Sequence, residues 1–351
     1  MKPQNVIILW GVVTSFFLAA VRSLSRELDG DFEITVVASD PNSWYPELLD
    51  KYDLVNVSFV SYDSFNVRKK LKYDLMIITS WNFKKYRKFA RLNSQTCTIM
   101  TMDNQFRRTP KQIALLSSVF GPIYIRKLMQ FAFVGGLRQS KYAQMLGFTK
   151  ERIISGAFSY DDQIFRPEAA AIRINQFCFI GRKVAVKGLD TLLSGYEIYR
   201  VLCAQENVLP WDLVIAGPGA LPRKTPFGVL ERSYLFPEEA AELMASSKCF
   251  VLPSNFEPFG VVITEAAATG CLIIASDAVG AADHMVIEGV NGFIFPVNDS
   301  RGLAQALLEM TKFSDQQFID GEVASKKLAK GFSPDTWTKK VLGAYQLSKS
   351  K

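Results

Sequence analysis

The sequence predicts an α/β protein built from two doubly wound domains in tandem. Its 351 residues are enough for about two domains of ordinary size. Hydrophobic residues make up 48% of the chain and charged residues 21%, a balance that allows a large core and excludes wholesale disorder. Short β-rich runs alternate with helix-like stretches, which is the pattern that βαβ units with a parallel sheet produce.

The alternation can be followed along the chain and restarts once. Before the restart, strands are predicted at 6–10, 32–38, 55–61, 75–80, 98–102 and 152–158, and a helix at 13–28. The polar segment 159–171 contains a proline and predicts a linker. After it, strands are predicted at 177–181, 213–216, 249–253, 272–276 and 292–295, and helices at 188–204, 237–247, 261–269 and 303–312.

These elements predict domains at 1–165 and 166–330, followed by a C-terminal helix at 331–351 that returns toward the first domain. Doubly wound sheets bind ligands beyond the carboxyl ends of their strands, so the cleft between the two domains is the predicted site.

The apolar run at 5–21 allows two interpretations. Together with Lys2 it resembles the basic start and apolar core of a signal peptide. However, Gly11, Thr14 and Ser15 interrupt the run, and it is shorter than the ~20 residues that a membrane span needs. We therefore predict a buried strand, a tight turn and a buried helix.

Metal and disulfide chemistry find little support in the sequence. The five cysteines are scattered without a CxxC pair, which favours buried free thiols in a reducing compartment over a zinc site or a disulfide framework. The single histidine, His284, has no supporting ligands nearby in the sequence. Asp29-Gly30-Asp31 spells the DxD of metal-dependent sugar transferases, but its polar surroundings predict a turn. No metal site is predicted.

Positive charge is concentrated in the first predicted domain. Residues 1–165 carry a net +8 and the remainder −1, with basic clusters at 68–72, 84–91 and 107–111. Each cluster alone is typical of a solvated helix face. Together they indicate that this domain meets an anionic surface or ligand, such as a membrane or a lipid phosphate, whereas no nucleic-acid module is recognisable. The apolar segment 112–134 is predicted as a core helix, with an interfacial helix as the alternative.

The sharpest functional signal is a turn into a helix that follows a predicted strand. Pro258 and Gly260 mark the turn, and Gly270 is placed to end the helix. The backbone N–H groups of Gly260, Val261 and Val262, together with the helix dipole, are expected to form an anion site.

Charged side chains flank this turn. Glu265 would lie ~7 Å from the anion site, where it suits the vicinal hydroxyls of a ribose. Glu257 precedes the helix and can reach the hydroxyls of a second group. Arg182 and Lys187 follow another strand and could neutralise a nucleotide diphosphate. Taken singly, either glutamate is typical of a surface charge near a helix start, and Arg182 and Lys187 are equally compatible with a basic loop before a helix.

At this point the sequence resembles a known family, the retaining GT-B glycosyltransferases of the large family 4 type. In the first domain, 133–148 and 153–165 resemble the end of the acceptor domain in its bacterial surface-polysaccharide members. The resemblance covers about 175–310 and rests on the blocks FIGRKVAVKGLDTLL, DLVIAGPG, FPEEAAELMASSKCFVLPS, FEPFGVVITEAAATG and GVNGFIFPVNDSRGLAQAL. It implies two Rossmann-like domains facing a deep cleft. The family's Glu–x7–Glu pattern corresponds to Glu257 and Glu265.

The resemblance also implies roles for individual residues. Arg182 and Lys187 would hold the donor diphosphate, Glu265 the ribose and Glu257 the transferred sugar. The backbone of the turn would bind the phosphates and two further glycines would line the nucleotide pocket, a donor-binding set that comprises Phe259, Gly260, Val261, Val262, Gly217 and Gly219. No metal and no cofactor would take part.

The first domain departs from the family pattern at two places. The Gly-Gly pair of the first strand-to-helix turn is reduced to Gly11, and the histidine that usually contacts the donor sugar is missing. Asp103 follows a predicted strand and could make that sugar contact or act as a base; capping a turn is the alternative.

The resemblance predicts a hexosyl transfer from a nucleotide-diphosphate sugar to a glycan or lipid-linked acceptor, in polysaccharide biosynthesis. The protein would be cytoplasmic, with its basic domain in peripheral contact with an anionic membrane. Two alternatives stay open: a nucleotide-sugar epimerase or phosphorylase on the same fold, and a degenerate subunit that binds the donor without turnover.

Overall fold

The computed structural model describes residues 2–28, 30–38, 49–66, 72–79, 83–118, 120–166 and 173–350. Contacts within the chain divide it into two compact units. The first unit comprises Met1–Asp161 and Phe332–Lys351, and the second comprises Asp162–Gly331. Each unit is built on a parallel sheet, so the predicted fold class of two Rossmann-like α/β domains is confirmed.

The first unit contains a seven-stranded sheet with the order β3-β2-β1-β4-β5-β6-β7. Its strands are β1 (Asn5–Trp10), β2 (Glu33–Ala38), β3 (Val57–Ser61), β4 (Leu75–Thr79), β5 (Cys97–Met102), β6 (Phe131–Val134) and β7 (Ile153–Ser155). Its helices before residue 161 are α1 (Ser15–Glu27), α2 (Lys84–Leu92), α3 (Pro110–Ser117), α4 (Phe120–Leu128) and α5 (Leu137–Met145).

The second unit contains a six-stranded sheet with the order β10-β9-β8-β11-β12-β13. Its strands are β8 (Ile174–Ile180), β9 (Asp212–Ala216), β10 (Val229–Arg232), β11 (Ser247–Leu252), β12 (Leu272–Ser276) and β13 (Gly292–Phe295). Its helices are α6 (Leu189–Glu206), α7 (Pro237–Ser246), α8 (Val261–Ala268), α9 (Ala282–Met285), α10 (Ser300–Thr311) and α11 (Asp315–Ala329). The last helix, α12 (Pro334–Lys349), belongs to the first unit, and 3-10 turns cover Lys150–Arg152, Ala185–Lys187 and Lys330–Phe332.

The first part of the N-terminal apolar run forms β1, an interior strand of the first sheet that lies between β2 and β4. Val6 and Ile8 join one apolar cluster and Ile7 and Leu9 the other, because successive side chains of a strand point to opposite faces. Helices cover both faces, which explains why β1 is apolar at consecutive positions. The predicted strand, turn and helix are confirmed as β1 and α1.

The C-terminal helix α12 packs against α1. The Ser23 hydroxyl donates to Asp335 Oδ1 at 2.9 Å, and the indole N–H of Trp337 donates to the Ala157 carbonyl at 3.0 Å. Trp337 is only 2% exposed. The end of the chain is therefore part of the first unit's core.

One predicted element is wrong. The segment 112–134 is not a single helix: it contains most of α3, all of α4 and the strand β6. Residues Phe131–Val134 are all buried and pair with β5 on one side and β7 on the other. A short apolar run fits a buried strand or a buried helix equally well, and only the neighbouring strands decide between them.

Several smaller predictions can also be compared with the structure. All five cysteines are free and buried, as predicted. Asp29, most of the basic cluster at 68–72 and the end of the linker at 167–171 lie outside the described residues. Within the part of the chain that is described, no helix is both long and apolar enough to cross a bilayer.

Candidate functional site

The second sheet changes direction in its strand order at β8, which has β9 on one side and β11 on the other. Connections leave neighbouring strands on opposite faces at such a switch point, and doubly wound sheets bind their ligands there, outside the carboxyl ends of the strands. The predicted motifs follow these two strands: the loop 181–188 comes after β8, and the turn 253–260 comes after β11.

Polar contacts of Asn255 join these two segments. Its backbone N–H donates to the Val186 carbonyl at 2.8 Å, and its side-chain amide donates to the Ala185 carbonyl at 3.2 Å. Gly188 has a φ of +68°, and a Cβ added there would lie 2.0 Å from the Pro253 carbonyl oxygen. The close approach of the two segments therefore depends on glycine at this position.

The Lys187 ammonium donates a hydrogen bond to Glu257 Oε2 and so brings two predicted site residues together. The two side chains are 16% and 17% exposed, respectively. Charge-assisted hydrogen bonds of this kind are about twice as strong as neutral ones. The pair fixes a cation and a carboxylate side by side at the switch point.

The loop after β12 supports the turn that carries Glu257. The Gly280 N–H donates to the Glu257 carbonyl at 3.1 Å, and the Ala281 N–H donates to the Phe259 carbonyl at 2.7 Å. Phe259 is buried beneath the turn. The backbone at 257–259 is thus held by the loop after β12.

The helix α8 begins at Val261, as predicted, with Gly260 at its N-cap. Gly260 has a φ of +98°, and a Cβ added there would lie 3.0 Å from Glu257 Cγ. The first helical bond runs from the Ile263 N–H to the Gly260 carbonyl. Val261 and Val262 are half-buried at the positive end of the helix dipole.

Glu265 lies further along α8 and is half-buried. The helix ends at Ala268, and the Gly270 N–H donates to the Ala267 carbonyl at 3.0 Å. Gly270 therefore follows the last turn as predicted.

The loop 181–188, which carries Arg182, also contacts the glycines that follow β9. The Gly181 N–H donates to the Ala216 carbonyl at 3.0 Å, and the Gly217 N–H donates to the Ser233 carbonyl at 3.0 Å. A β-bridge pairs Lys183 with Gly219. Arg182 is exposed. The segment 217–219 thus lies directly against the loop that carries Arg182 and Lys187.

Two residues that the sequence did not single out hold this arrangement, Asn255 and Lys183. The Lys183 side chain is 2% exposed and donates to Glu231 Oε1 at 2.6 Å and to the Arg232 carbonyl at 2.9 Å. It anchors the loop 181–188 to β10. The only signal in the sequence is its place beside Arg182 in a basic run, and spacing in a loop does not show which side chain turns inward.

The remaining predicted site residues belong to the first unit. Gly11 follows β1, and Asp103 follows β5, where its carbonyl accepts a hydrogen bond from the Gln139 amide at 3.1 Å. Although Asp103 reaches solvent, desolvation by the surrounding protein raises the pKa of its carboxyl above the ordinary value. A raised pKa makes this carboxylate a stronger base.

Across the described residues, no three side chains of histidine, cysteine, aspartate or glutamate cluster as metal ligands. His284 lies half-buried in α9.

Comparison with known proteins finds a match to a family model within the second unit. Residues 174–312 match the family model described as glycosyl transferases group 1. An uncharacterized glycosyltransferase of Methanocaldococcus jannaschii is 28% identical over 173 residues, which cover 47% of this chain and 45% of that protein. The chain matches less than half the length of the first curated relatives.

Solved structures show the same fold over the whole chain. A glycosyltransferase from Rickettsia africae superposes with a TM-score of 0.74 at 12% identity and covers 99% of both chains. The Anabaena protein HepE, in complex with UDP and glucose, gives a TM-score of 0.69 at 15% identity and covers 99% of this chain and 100% of its own. The second unit therefore resembles glycosyl transferases group 1 in sequence, and the whole chain shares its fold with the solved glycosyltransferase structures.

Proposed function

We propose that this protein transfers a hexose from a nucleotide-diphosphate sugar to a glycan or lipid-linked acceptor. The observation that carries the proposal is the Lys187–Glu257 ion pair beside the N-terminus of α8, at the switch point of the second sheet. A diphosphate leaving group needs cations and backbone N–H donors, and a sugar needs a carboxylate that accepts from its hydroxyls. Both kinds of group meet here.

In this proposal Lys187 binds the donor diphosphate and keeps its ion pair with Glu257. An ammonium has three N–H donors, and the hydrogen bond to Glu257 uses one of them. The others remain for phosphate oxygens, while Arg182 and the backbone N–H groups of Val261 and Val262 supply further contacts. The diphosphate would then bind beside a carboxylate that is already oriented toward the sugar.

The other predicted residues complete the donor site. Glu265 accepts hydrogen bonds from the ribose hydroxyls, and Glu257 accepts from the transferred sugar. Gly217 and Gly219 line the nucleotide pocket, and their lack of a side chain lets the loop 181–188 lie against them, since a Cβ at Gly217 would be 2.0 Å from the Gly181 carbonyl oxygen. The first unit contributes the Asp103 carboxylate, as a sugar contact or a base, and the turn at Gly11.

The proposed chemistry is that of a retaining enzyme of the family 4 type. The bond from the anomeric carbon to the phosphate oxygen breaks, and a bond from that carbon to the acceptor oxygen forms on the same face. The acceptor proton passes to the departing phosphate oxygen. Arg182, Lys187 and the helix dipole neutralise the leaving group, so the scheme uses neither a metal nor a cofactor.

The proposed setting is the cytoplasm, at the inner face of a membrane, in polysaccharide biosynthesis. Five free, buried thiols suit a reducing compartment. The positive first unit suits an acceptor presented at an anionic surface. UDP is the first nucleotide to test, because the structural neighbour HepE was solved with UDP and glucose.

A donor-hydrolysis assay with UDP-, GDP- and ADP-sugars tests the proposal. The wild-type protein should release free sugar and a nucleoside diphosphate from one donor class. Lys187→Ala should slow this release by about 100-fold or more, since it removes a charge that stabilises the leaving group. Its free energy of unfolding should fall by about 3–5 kcal/mol, because Glu257 is left as a largely buried, unpaired charge, so turnover is compared at a temperature where the variant is still folded.

Lys312→Ala is the matched control, because it breaks another ion pair of the same unit, the Lys312–Glu206 pair at 2.6 Å, at the end of α6 that is far from the loop 181–188. Its turnover should equal that of the wild type. Nucleotide binding without turnover would instead identify a degenerate binding subunit. Conversion of the donor sugar without its release would identify an epimerase.

A further inference from the structure

A second candidate surface lies in the first unit. It consists of the exposed side chains of residues 107–118 and 121–127, in the approach to α3, in α3 and in α4, and we call it the α3–α4 surface. Neither the donor site nor the transfer chemistry proposed above uses it.

The α3–α4 surface lies in a part of the sequence without negative charge. From Asn104 to Lys150 there is no aspartate or glutamate, while eight lysines and arginines fall in this stretch. These eight charges exceed the net +7 of the whole chain. Five of them lie on the surface itself and are exposed: Arg107, Arg108, Lys111, Arg126 and Lys127.

Apolar side chains lie among these cations. Ile113 of α3 is 49% exposed, and Ile123 and Tyr124 of α4 are 37% and 42% exposed. Contact of such groups with water is unfavourable, and exposed apolar groups that cluster among charges are typical of interaction sites. The surface therefore offers a partner both positive charge and apolar contacts.

The helix α3 is fixed at its start by polar caps and covers the core of the first unit only in part, through the half-buried Leu115 and Leu116. It contains no buried residue, although Ile113, Leu115 and Leu116 are apolar. The Gln112 backbone N–H donates to Thr109 Oγ1 at 3.3 Å, and its side-chain amide donates to the Gln105 carbonyl at 2.7 Å. A helix fixed at its start with its apolar residues only partly covered is suited to lie at an interface.

The helix α4 is anchored to the core and presents its other face outward. Ile125 and Leu128 are buried in the first unit. Ile123, Arg126 and Lys127 are exposed between and beside them. The outward face of α4 therefore carries both apolar and basic side chains, Ile123 and Tyr124 with Arg126 and Lys127, while Ile125 and Leu128 face the core.

We propose that the α3–α4 surface docks onto an anionic lipid bilayer. The cations would contact lipid phosphates, and Ile113, Ile123 and Tyr124 would enter the boundary between headgroups and acyl chains. A nucleic acid would also attract the cations, but its phosphate backbone offers no apolar layer for isoleucine side chains. The proposal stands independently of the transfer reaction.

Co-sedimentation with vesicles tests the proposal, using the full chain and no sugar nucleotide. Phosphatidylcholine vesicles are compared with vesicles that also contain about 30% phosphatidylglycerol, at low and high salt. Arg126→Gln/Lys127→Gln removes charge, and Ile113→Ser/Tyr124→Ser removes apolar contacts. The controls are Arg301→Gln/Lys327→Gln and Leu209→Ser/Val323→Ser, which change exposed cations and exposed apolar residues of the second unit.

The wild type should bind the anionic vesicles at least about tenfold more tightly than the neutral ones, and high salt should weaken this binding. Each α3–α4 double variant should lose about tenfold in affinity, and the control variants should not. Thermal unfolding should be the same for all variants, because every altered side chain is exposed.

Equal binding to both kinds of vesicle, or no binding to either, would overturn the proposal. Binding that depends on charge but ignores Ile113→Ser/Tyr124→Ser would also overturn it, and would point to a polyanion such as nucleic acid. Because the assay contains no donor, its failure leaves the proposed transferase activity untouched, and loss of transferase activity leaves this result untouched.

Discussion

At the scale of the residue, the Lys187–Glu257 pair prepares the candidate donor site before a ligand arrives. Both side chains are largely buried, so neither is free to turn into water. A buried ion pair is costly to break by removing one partner, because the other charge is left behind. A diphosphate that adds contacts to Lys187 without breaking the pair avoids this cost. The pair thus combines a structural role with a proposed role in binding.

Asp103 allows a prediction about pH. Desolvation raises the pKa of its carboxyl in the folded protein, so folding favours the protonated form. The stability that this group contributes is therefore present below its unfolded pKa and is lost as the pH rises through its folded pKa. Asp103→Asn cannot ionise and should be as stable as the wild type at pH 7, or more stable. The difference should shrink as the pH falls toward about 4.

Urea unfolding at both pH values, together with donor turnover at pH 7, checks this prediction. Asp63→Asn, an exposed carboxylate of the same unit, is the control. Turnover should fall with Asp103→Asn although stability does not. A loss of stability at pH 7 would instead indicate that Asp103 caps a turn.

Single residues also show where sequence reasoning reaches its limit. The neighbours Arg182 and Lys183 look alike in the sequence, yet Arg182 is exposed and Lys183 is buried against Glu231. Spacing predicts the direction of a side chain on a helix or a strand, where the backbone repeats. In a loop it does not, so contacts made by Lys183 and Asn255 could only be seen in the structure.

At the scale of the element, the candidate site depends on how closely two loops approach each other. Gly188 combines a φ of +68° with a backbone carbonyl 2.0 Å from the position of a Cβ. Gly289 has a similar φ of +71° but no atom within 4 Å of that position. The two glycines therefore separate the cost of a left-handed backbone from the cost of a steric clash.

Gly289→Ala should lower the free energy of unfolding by about 1 kcal/mol, the strain of a left-handed alanine. Gly188→Ala should lower it by more than about 3 kcal/mol, because the loops must also move apart. Chemical denaturation of both variants measures the difference. Equal losses would contradict the claim that the loops are in close contact at Gly188.

The elements themselves differ in how well the sequence predicts them. The predicted strands 272–276 and 292–295 coincide with β12 and β13, since each is a short apolar run bounded by turns. The segment 112–134 was predicted wrongly as one helix, because its apolar residues belong to two surface helices and one buried strand. The edge strand β10 escaped prediction, since three of its four residues are exposed and it lacks an apolar run.

At the scale of the whole molecule, the excess positive charge lies in the first unit and the candidate donor site lies in the second. The Lys187–Glu257 pair and the family match at 174–312 belong to the second unit, whereas the acid-free stretch 104–150 belongs to the first. The alternation of strands and helices predicted two parallel sheets, but it did not give the order of strands within them. That order depends on long-range pairing, and it is what brings the loops after β8 and β11 together.

Calorimetric titration of UDP, GDP and ADP into the full chain tests the central claim most directly. We predict that one of them binds, and that Glu265→Ala weakens this binding by about tenfold, the value of one good hydrogen bond to a charged group. Glu309→Ala, a surface glutamate of α10, should bind like the wild type. If no nucleoside diphosphate binds, or if Glu265→Ala binds as tightly as the unaltered protein, the turn at the start of α8 is not a diphosphate site.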